Sequence, residues 1–359
     1  MSRWHDPAPG ERDALDRSWE VVRRAYGERV PAPRRRDRRP LVVLAAAVVV
    51  VAAALSPPGL AVWSSLRDAV GSEDQLIRLP ARGRILVNTH GGAWVVQRDG
   101  SKRYLSGYSD TAWSPHGLYV AAVKGNELVA MEPNGKVHWK VARRGGVHAP
   151  QWSYEGYRIA YFAGASLRVV NGDGTGDRLL THDVRPYALA WEPGTHVLAY
   201  VNRAGSIVAR NVDSARSPAV IRTRLSPQRL EWLRDGRLIA VGKRAFATFA
   251  RRGPQLTHLG SAGTVASATA SPDGRRIAFV TTQAGKGSVL VNGVALFTGA
   301  GTIADAVWSP DGRWLLLNWT GADEWLFVRT AGAARKVVAV PDIRATYGDG
   351  VRLAGWCCP

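Results

Sequence analysis

The sequence predicts an all-β fold made of one repeating unit and preceded by a single transmembrane helix. Two observations lead to this prediction. Between residues 113 and 308 a short motif recurs at spacings of 39, 39, 41, 38 and 38 residues. Upstream of the repeats, no charged residue lies between Arg39 and Arg67. A period of about 40 residues, filled by short apolar runs and turn residues, is typical of four-stranded propeller blades.

Each repeat contains the elements of one blade. A first strand ends at a tryptophan, a Pro-Asp-Gly turn follows, and a β-branched and aromatic second strand comes next. Turns such as Asn134-Gly135 then join the third strand to the fourth. We expect the tryptophans to fill the space between adjacent blades. The positions to which we assign this structural role are Trp113, Trp152, Trp191, Trp232, Asp273, Gly274, Trp308, Asp311, Gly312 and Trp356.

The two ends of the repeat region indicate how the ring closes. Residues 84–105 contain three strands of a blade that lacks its first strand, and residues 351–356 look like a lone first strand that ends in a tryptophan. The C-terminal strand would complete the N-terminal blade and remove the exposed sheet edges. The sequence therefore predicts a seven-bladed β-propeller of four-stranded blades, with six or eight blades as alternatives.

The motif also carries a family resemblance. The pattern Trp-Ser-Pro-Asp-Gly-Arg-x-Ile-Ala resembles the TolB-like, WD40-like (PD40) β-propeller repeats of bacteria. It covers roughly residues 75–359 and is most complete at 270–280 and 308–317. The resemblance implies a protein-interaction platform. TolB itself has an α/β domain where this chain has a predicted membrane anchor, so we do not transfer its partners.

The uncharged stretch predicts a membrane anchor. The apolar run from Leu41 to Leu55 would span about 22 Å as a helix, and its continuation to Trp63 is long enough to cross a hydrocarbon core of about 30 Å. The arginines between Arg34 and Arg39 place the N-terminus in the cytoplasm. A cleaved signal peptide is the alternative, and both interpretations export the rest of the chain.

This topology divides the chain into four parts. Residues 1–40 form a basic cytoplasmic tail, 41–63 the transmembrane helix, 64–80 a linker and 81–359 the propeller. Within the tail, the side chains of Leu15, Trp19, Val22 and Tyr26 recur at helical spacing. This amphipathic helix would bind a cytosolic partner or lie on the inner membrane face, or it would be a marginal helix without a partner.

The chain is strongly basic, with 48 Lys and Arg against 29 Asp and Glu and a net charge of +19. Beyond residue 40 the charge is scattered, which is typical of a compositional preference for arginine rather than of a nucleic-acid interface. We therefore expect no nucleic-acid partner. The positive field would still favour anionic polymers or lipid headgroups.

The sequence shows no common catalytic or cofactor motif, and we expect neither an enzyme nor a bound cofactor or metal. The oxygen-bearing residues from Asn171 to Asp177 would form a glycine-rich hairpin or, alternatively, a Ca²⁺ loop. Adjacent Cys357 and Cys358 would serve as a structural pair or as a redox pair.

Some charged residues are candidates for a ligand rim. Asp110 and Asp305 precede their blade tryptophans, on loops that we expect to surround the channel. The arginine pairs 143–144 and 251–252 would form an anion-binding rim or simple solvated loops.

The predicted function is binding. A rigid ring held at the membrane would act as an extracytoplasmic scaffold for an envelope protein or an anionic polymer. The alternatives are a transmembrane regulator that signals through its cytosolic tail and, less favoured, a propeller enzyme.

Overall fold

A computed structural model describes residues 78–250, 253–257, 263–331 and 336–358, with residue 250 and the segment 253–257 described by their backbone alone. Within these residues the chain forms seven antiparallel sheets of four strands each. The prediction of an all-β, seven-bladed propeller with four-stranded blades is confirmed.

The first half of the chain supplies three strands of blade 1 and all of blades 2 to 4. Blade 1 contains β1 (Arg84–Asn88), β2 (Gly92–Val96) and β3 (Lys102–Ser106). Blade 2 contains β4 (Ser109–Trp113), β5 (Val120–Lys124), β6 (Glu127–Met131) and β7 (Val137–Ala142). Blade 3 contains β8 (Val147–Trp152), β9 (Arg158–Ala163), β10 (Ser166–Asn171) and β11 (Arg178–Thr181). Blade 4 contains β12 (Leu189–Trp191), β13 (Val197–Val201), β14 (Ile207–Asn211) and β15 (Ala219–Ile221).

The second half supplies blades 5 to 7 and the strand that closes the ring. Blade 5 contains β16 (Arg229–Trp232), β17 (Leu238–Val241), β18 (Phe246–Ala250) and β19 (Gly253–Thr257). Blade 6 contains β20 (Thr264–Ala270), β21 (Ile277–Gln283), β22 (Lys286–Val291) and β23 (Val294–Ala300). Blade 7 contains β24 (Asp305–Trp308), β25 (Trp314–Trp319), β26 (Glu324–Arg329) and β27 (Val337–Val340). A short helix, α1 (Ile343–Tyr347), then leads into β28 (Arg352–Cys357).

The ring closes as the two chain ends predicted. β28 pairs antiparallel with β1, and Ile85 lies opposite Trp356. The sheet of blade 1 therefore has the order β28-β1-β2-β3. Trp356 is buried against Phe327 of blade 7, with ring centroids 5.5 Å apart. The indole nitrogen of Trp356 also donates a hydrogen bond to the Arg82 carbonyl oxygen at 3.1 Å.

The hydrophobic core lies between blades rather than within a single layer. All six residues of β25 are buried, which matches their nearly continuous apolar sequence. Strands with both faces covered read as apolar runs because each face packs on a neighbour. One core cluster joins Phe162 and Leu167 of blade 3 to Leu198 and Tyr200 of blade 4. Packing between neighbours therefore stabilises the ring as a whole.

The repeat tryptophans lie at or next to the ends of the first strands. Five of them are the last residue of a first strand: Trp113 in β4, Trp152 in β8, Trp191 in β12, Trp232 in β16 and Trp308 in β24. Trp356 is the penultimate residue of β28. Two of them bridge to the preceding blade. The indole of Trp191 donates to the Gln151 carbonyl oxygen, and that of Trp308 donates to the Thr269 carbonyl oxygen, each at 3.1 Å.

The turn after the tryptophan is fixed by its own side chains. Asp311 accepts hydrogen bonds from the Ser309 hydroxyl at 2.6 Å and from the Arg313 backbone N–H at 2.9 Å. Gly312 has φ +66°, a left-handed conformation that glycine adopts without strain. Asp273 and Gly274 occupy the equivalent turn of blade 6, where Gly274 has φ +70°.

Two of these turns are each bound by an arginine of the preceding blade, which lies at the start of that blade's second strand. Arg276 lies 4.8 Å from the centroid of the Trp308 ring and donates to the Gly312 carbonyl oxygen at 2.5 Å. Arg84 makes the same pair of contacts to Trp113 and Gly117. Each contact combines a cation–π interaction with a charge-assisted hydrogen bond.

We expect the substitution Arg276→Ala to lower the free energy of unfolding by about 2 to 3 kcal/mol, because it removes a charged hydrogen bond and a stacked cation. Chemical denaturation of the purified protein measures this loss. The neighbouring Arg275 has an exposed side chain without a hydrogen bond to any described residue. Its replacement by alanine should change the free energy by less than about 0.5 kcal/mol. Equal effects of the two substitutions would contradict the assigned role.

Several sequence predictions fall on residues outside those described. They include the amphipathic tail helix, the apolar run from Leu41 to Leu55 and the arginine pair 251–252. Among the described residues, no helix has the length and apolar character needed to cross a membrane. Leu79, placed by sequence in the linker, is buried in the core cluster that contains Trp356.

Candidate interaction face

The antiparallel blades give the ring two different faces. The Trp-Ser-Pro-Asp-Gly turns and the hairpins between third and fourth strands lie on one side, here called the motif face. The loops that lead from one blade to the next, and the hairpins between second and third strands, lie on the other side, here called the connecting face. The first strands of neighbouring blades contact one another around the central channel.

The two aspartates predicted for a ligand rim lie on the first strands at the connecting face. Asp110 accepts a hydrogen bond from the Ala149 backbone N–H of the next blade at 3.1 Å. Asp305 accepts one from the Leu353 N–H of β28 at 3.0 Å. Both carboxylates join adjacent blades by satisfying backbone donors of the next first strand, and their role in a ligand rim stays a prediction.

Two charged residues of blade 5 were not singled out by the sequence. Glu231 accepts a hydrogen bond from the Ala270 N–H of blade 6 at 2.7 Å. Burial raises the pKa of Glu231 to about 7. Arg229, two residues earlier on the same strand, makes no hydrogen bond or ion pair with any described residue, and burial lowers its pKa.

Charges from three blades meet at the channel. The carboxylates of Asp305 and Glu231 act on Arg229 by favouring its charged form, while Arg352 opposes it. Arg352 itself lies 3.5 Å from Asp305. Burial raises the pKa of Asp305, and the hydrogen bond from the Leu353 N–H and the charge of Arg352 reduce this increase. These residues are separated by up to 123 positions in sequence, so no local pattern could have grouped them.

A cavity of about 600 Å³ opens beside these charges, within the size range of small-molecule sites. Arg229 borders it from blade 5, and Arg344 and Arg352 border it from α1 and β28. Arg344 is paired with Asp323 at 3.2 Å. The cavity therefore has a mixed lining of paired charges, hydroxyls and one arginine without a described partner.

The segment Asn171–Asp177 is a glycine-rich hairpin in which the two carboxylates have separate partners. Asp173 accepts from the Thr175 hydroxyl at 2.7 Å and closes the turn. Asp177 accepts from the Tyr161 hydroxyl and is paired with Arg168 and Arg143. Within the described chain, no cluster of three or more His, Cys, Asp or Glu residues could hold a metal ion. Arg143, which the sequence suggested for an anion-binding rim, is one of the two arginines paired with Asp177.

The C-terminal cysteine pair lies on the motif face. Cys357 and Cys358 form a vicinal disulfide. The Cys358 sulfur lies 3.3 Å from the Pro115 carbonyl oxygen, in the turn of blade 2. A Cβ atom placed on Gly117 would lie 3.0 Å from the same sulfur. The pair therefore packs the end of β28 against the next blade.

Comparison with known proteins identifies the architecture. No protein-family model and no curated protein matches the sequence. Solved structures do match the fold, and two of them are described here. One is a chain of the mitotic checkpoint complex, with 16% identity, a TM-score of 0.56, and coverage of 76% of this chain and 86% of that chain. Another is the Myceliophteria thermophila Cps50 (Swd1) β-propeller domain, with 12% identity, a TM-score of 0.51, and coverage of 66% and 86%.

The comparisons therefore agree with the β-propeller fold. At these identities the similarity concerns the fold alone.

Proposed function

We propose that this protein is a membrane-anchored scaffold of the bacterial envelope, whose propeller lies outside the cytoplasm and binds an envelope protein or an anionic polymer. The observation that carries the proposal is the closed ring itself. Its acids and tryptophans join blade to blade, while many side chains of the connecting-face loops are exposed and take no part in that packing. A rigid ring that presents exposed loops is well suited to recognition.

The sequence supports the membrane anchor and the topology. The apolar stretch from Leu41 is long enough for one helix, and the arginines before it favour a cytoplasmic N-terminus. A TolB-like origin of the repeats fits the same location, and we propose it on the motif at residues 270–280 and 308–317.

We propose binding rather than catalysis as the role of the ring. Two acids of the first strands, Asp305 and Glu231, each accept a backbone N–H from the next blade. A group committed to such a contact is less available for proton transfer to a substrate.

Site-specific photocrosslinking in cells that naturally express the protein tests this proposal. A crosslinking residue at position 224 probes the connecting face, and one at position 275 provides a matched control on the motif face. We expect adducts with envelope components from position 224 and few from position 275. Adducts with cytosolic proteins alone, or the same adducts from both positions, would contradict the proposal.

A second candidate function is transmembrane regulation, favoured by the helical apolar stripe that includes Trp19 and Val22. A chain without residues 1–33 keeps the arginines that set topology. If a cytosolic partner is captured by the full chain and lost with this truncation, the regulator is the better description. If both chains capture the same envelope partners, the tail is an anchor leader.

A further inference from the structure

The connecting face of blades 4 and 5 concentrates positive charge. Four loops there, at residues 182–188, 202–206, 222–228 and 242–245, carry six Arg and Lys residues and one acid, Asp183. Arg229 follows directly at the start of β16. The side chains of these cations reach solvent, although that of Arg229 is partly enclosed by its surroundings, and together they are called the basic arc: Arg185, Arg203, Arg222, Arg224, Arg229, Lys243 and Arg244.

Within the described residues, none of the basic arc is neutralised by an ion pair. On the motif face of blades 3 to 5 some cations are paired with carboxylates, while Arg216 and Arg234 have no ion pair among the described residues. Asp213 pairs with Arg158, Arg178 and His196, and Asp235 pairs with Arg237. The arc therefore gathers seven exposed cations on one face, and the four loops that carry six of them contain a single acid, Asp183.

The loops of the arc form one continuous surface. The Arg185 guanidinium donates to the Arg203 carbonyl oxygen at 3.1 Å. Ile221, which precedes Arg222, pairs with Ile207 next to the hairpin of Arg203. A Cβ atom on Gly242 would lie 2.5 Å from the Leu225 carbonyl oxygen, so the next hairpin touches the loop of Arg224. The arc therefore runs from blade 4 to blade 5 without interruption.

An exposed aromatic residue lies at one end of the arc. Tyr187 is 64% exposed, in the same loop as Arg185. Its ring lies 5.2 Å from that of His148, between centroids, which supports it from one side. Tyrosine and arginine are the residue types most enriched among the residues that dominate protein–protein binding energy. Guanidinium groups match carboxylates in a planar, bidentate geometry.

We infer that the basic arc binds an acidic polypeptide segment of a protein partner, with an apolar side chain of that segment packed on Tyr187. The inference rests on the proposed scaffold function and names the chemistry of its partner. An anionic polysaccharide and a lipid surface are the other ligands that the charge of the arc could bind, and the test below includes both.

The test measures binding to the full-length protein in detergent. The probe is a fluorescein-labelled peptide of consecutive glutamates that ends in leucine, read by fluorescence anisotropy. The test variant carries Arg203→Gln, Arg224→Gln and Arg244→Gln, three residues whose side chains make no described hydrogen bond. The control carries Arg98→Gln, Arg275→Gln and Arg313→Gln, three exposed arginines of the motif face. Tyr187→Ser is tested alone.

We expect the test variant to weaken binding at least about tenfold, because each exposed charge pair contributes up to about 1 kcal/mol, and the control to stay within about twofold. Tyr187→Ser should weaken binding of the leucine peptide and leave a peptide of glutamates alone unchanged. Binding should be lost at about 1 M salt, where the screening length is about 3 Å.

Three results would overturn the inference. The first is equal binding by test and control variants. The second is an unchanged affinity of Tyr187→Ser for the leucine peptide. The third is tighter binding of heparin or of phosphatidylglycerol vesicles than of the peptide. If envelope proteins still crosslink from position 224 while the peptide result is negative, the scaffold function survives and only the assigned partner chemistry fails.

Discussion

Removal of β28 is expected to abolish cooperative folding of the propeller. A chain that ends at residue 351 loses the first strand of blade 1, the buried Trp356 and the hydrogen bond from the Leu353 N–H to Asp305. Loss of the tryptophan alone should cost about 3 to 5 kcal/mol, a large fraction of the 5 to 15 kcal/mol that stabilises a typical domain. The truncation also exposes β1 as an open edge, which favours aggregation.

Denaturant unfolding followed by tryptophan fluorescence measures this effect. The truncated chain should show no cooperative transition, and Trp356→Ala should show a transition at a clearly lower denaturant concentration. A chain that lacks only Pro359 is the matched control and should unfold like the complete chain. A truncated chain with an unchanged midpoint would show that the C-terminal strand does not close the ring.

The second large effect concerns pH and Glu231. Its pKa is about 7 in the folded chain, because burial disfavours the charged form, against 4.5 for an ordinary glutamate. Between pH 4.5 and 7 the unfolded chain releases this proton while the folded chain keeps it, so stability falls as pH rises through that window. The difference in pKa corresponds to a loss of up to about 3 kcal/mol above pH 7.

The substitution Glu231→Gln removes this penalty. Its amide oxygen can still accept the Ala270 N–H. The variant should match the wild type near pH 4 and exceed it by up to about 3 kcal/mol at pH 8. Burial raises the pKa of Asp305 in both chains, so the comparison isolates Glu231.

Glu132→Gln provides a control with the opposite sign. His138, followed by Asn134, lowers the pKa of Glu132. At pH values above the ordinary pKa of glutamate, the ionised carboxylate of Glu132 therefore stabilises the folded chain. This contribution is lost as the pH falls. The two variants should diverge from the wild type in opposite directions at neutral pH. Stability curves for Glu231→Gln and wild type that stay parallel from pH 4 to 8 would contradict the assigned pKa.

The repeat explains why the fold could be predicted so fully. A spacing of about 40 residues determines the number of strands per unit, and the incomplete blades at the two ends determine the closure. Each strand pairs mainly with neighbours that are close in sequence, so local patterns carry most of the topology. Among the described strands, the pairing of β28 with β1 is the one that joins strands far apart in sequence, and the lone terminal strand predicted it.

The interaction face could be predicted less well, because it depends on residues that only the ring brings together. Asp110 and Asp305 are expected at a ligand rim on account of their position in the repeat, and the sequence did not indicate that their carboxylates satisfy backbone donors of the next blade. Arg229 and Glu231 resemble ordinary strand residues in sequence. Their importance comes from burial at the channel and from charges contributed by other blades.

The basic arc was not predicted from the sequence, because the whole chain is rich in arginine. In a chain with a net charge of +19, no single arginine indicates a binding site. The six loop cations of the arc are also spread over about 60 residues of sequence. Their shared face follows only from strand direction, since blade-to-blade loops and the hairpins between second and third strands project to the same side. The sequence did not indicate that Tyr187 is exposed within this surface, because its exposure depends on how the blades pack.

The central claim, an exported propeller held at the membrane, is tested most directly by a topology reporter fused after residue 359 of the complete chain. In a bacterial host, alkaline phosphatase folds only outside the cytoplasm, where its disulfides form, so we predict an active phosphatase fusion in the membrane fraction. A fluorescent reporter that matures only in the cytoplasm should stay dark at the same position. An inactive phosphatase together with a bright cytoplasmic reporter would contradict the account.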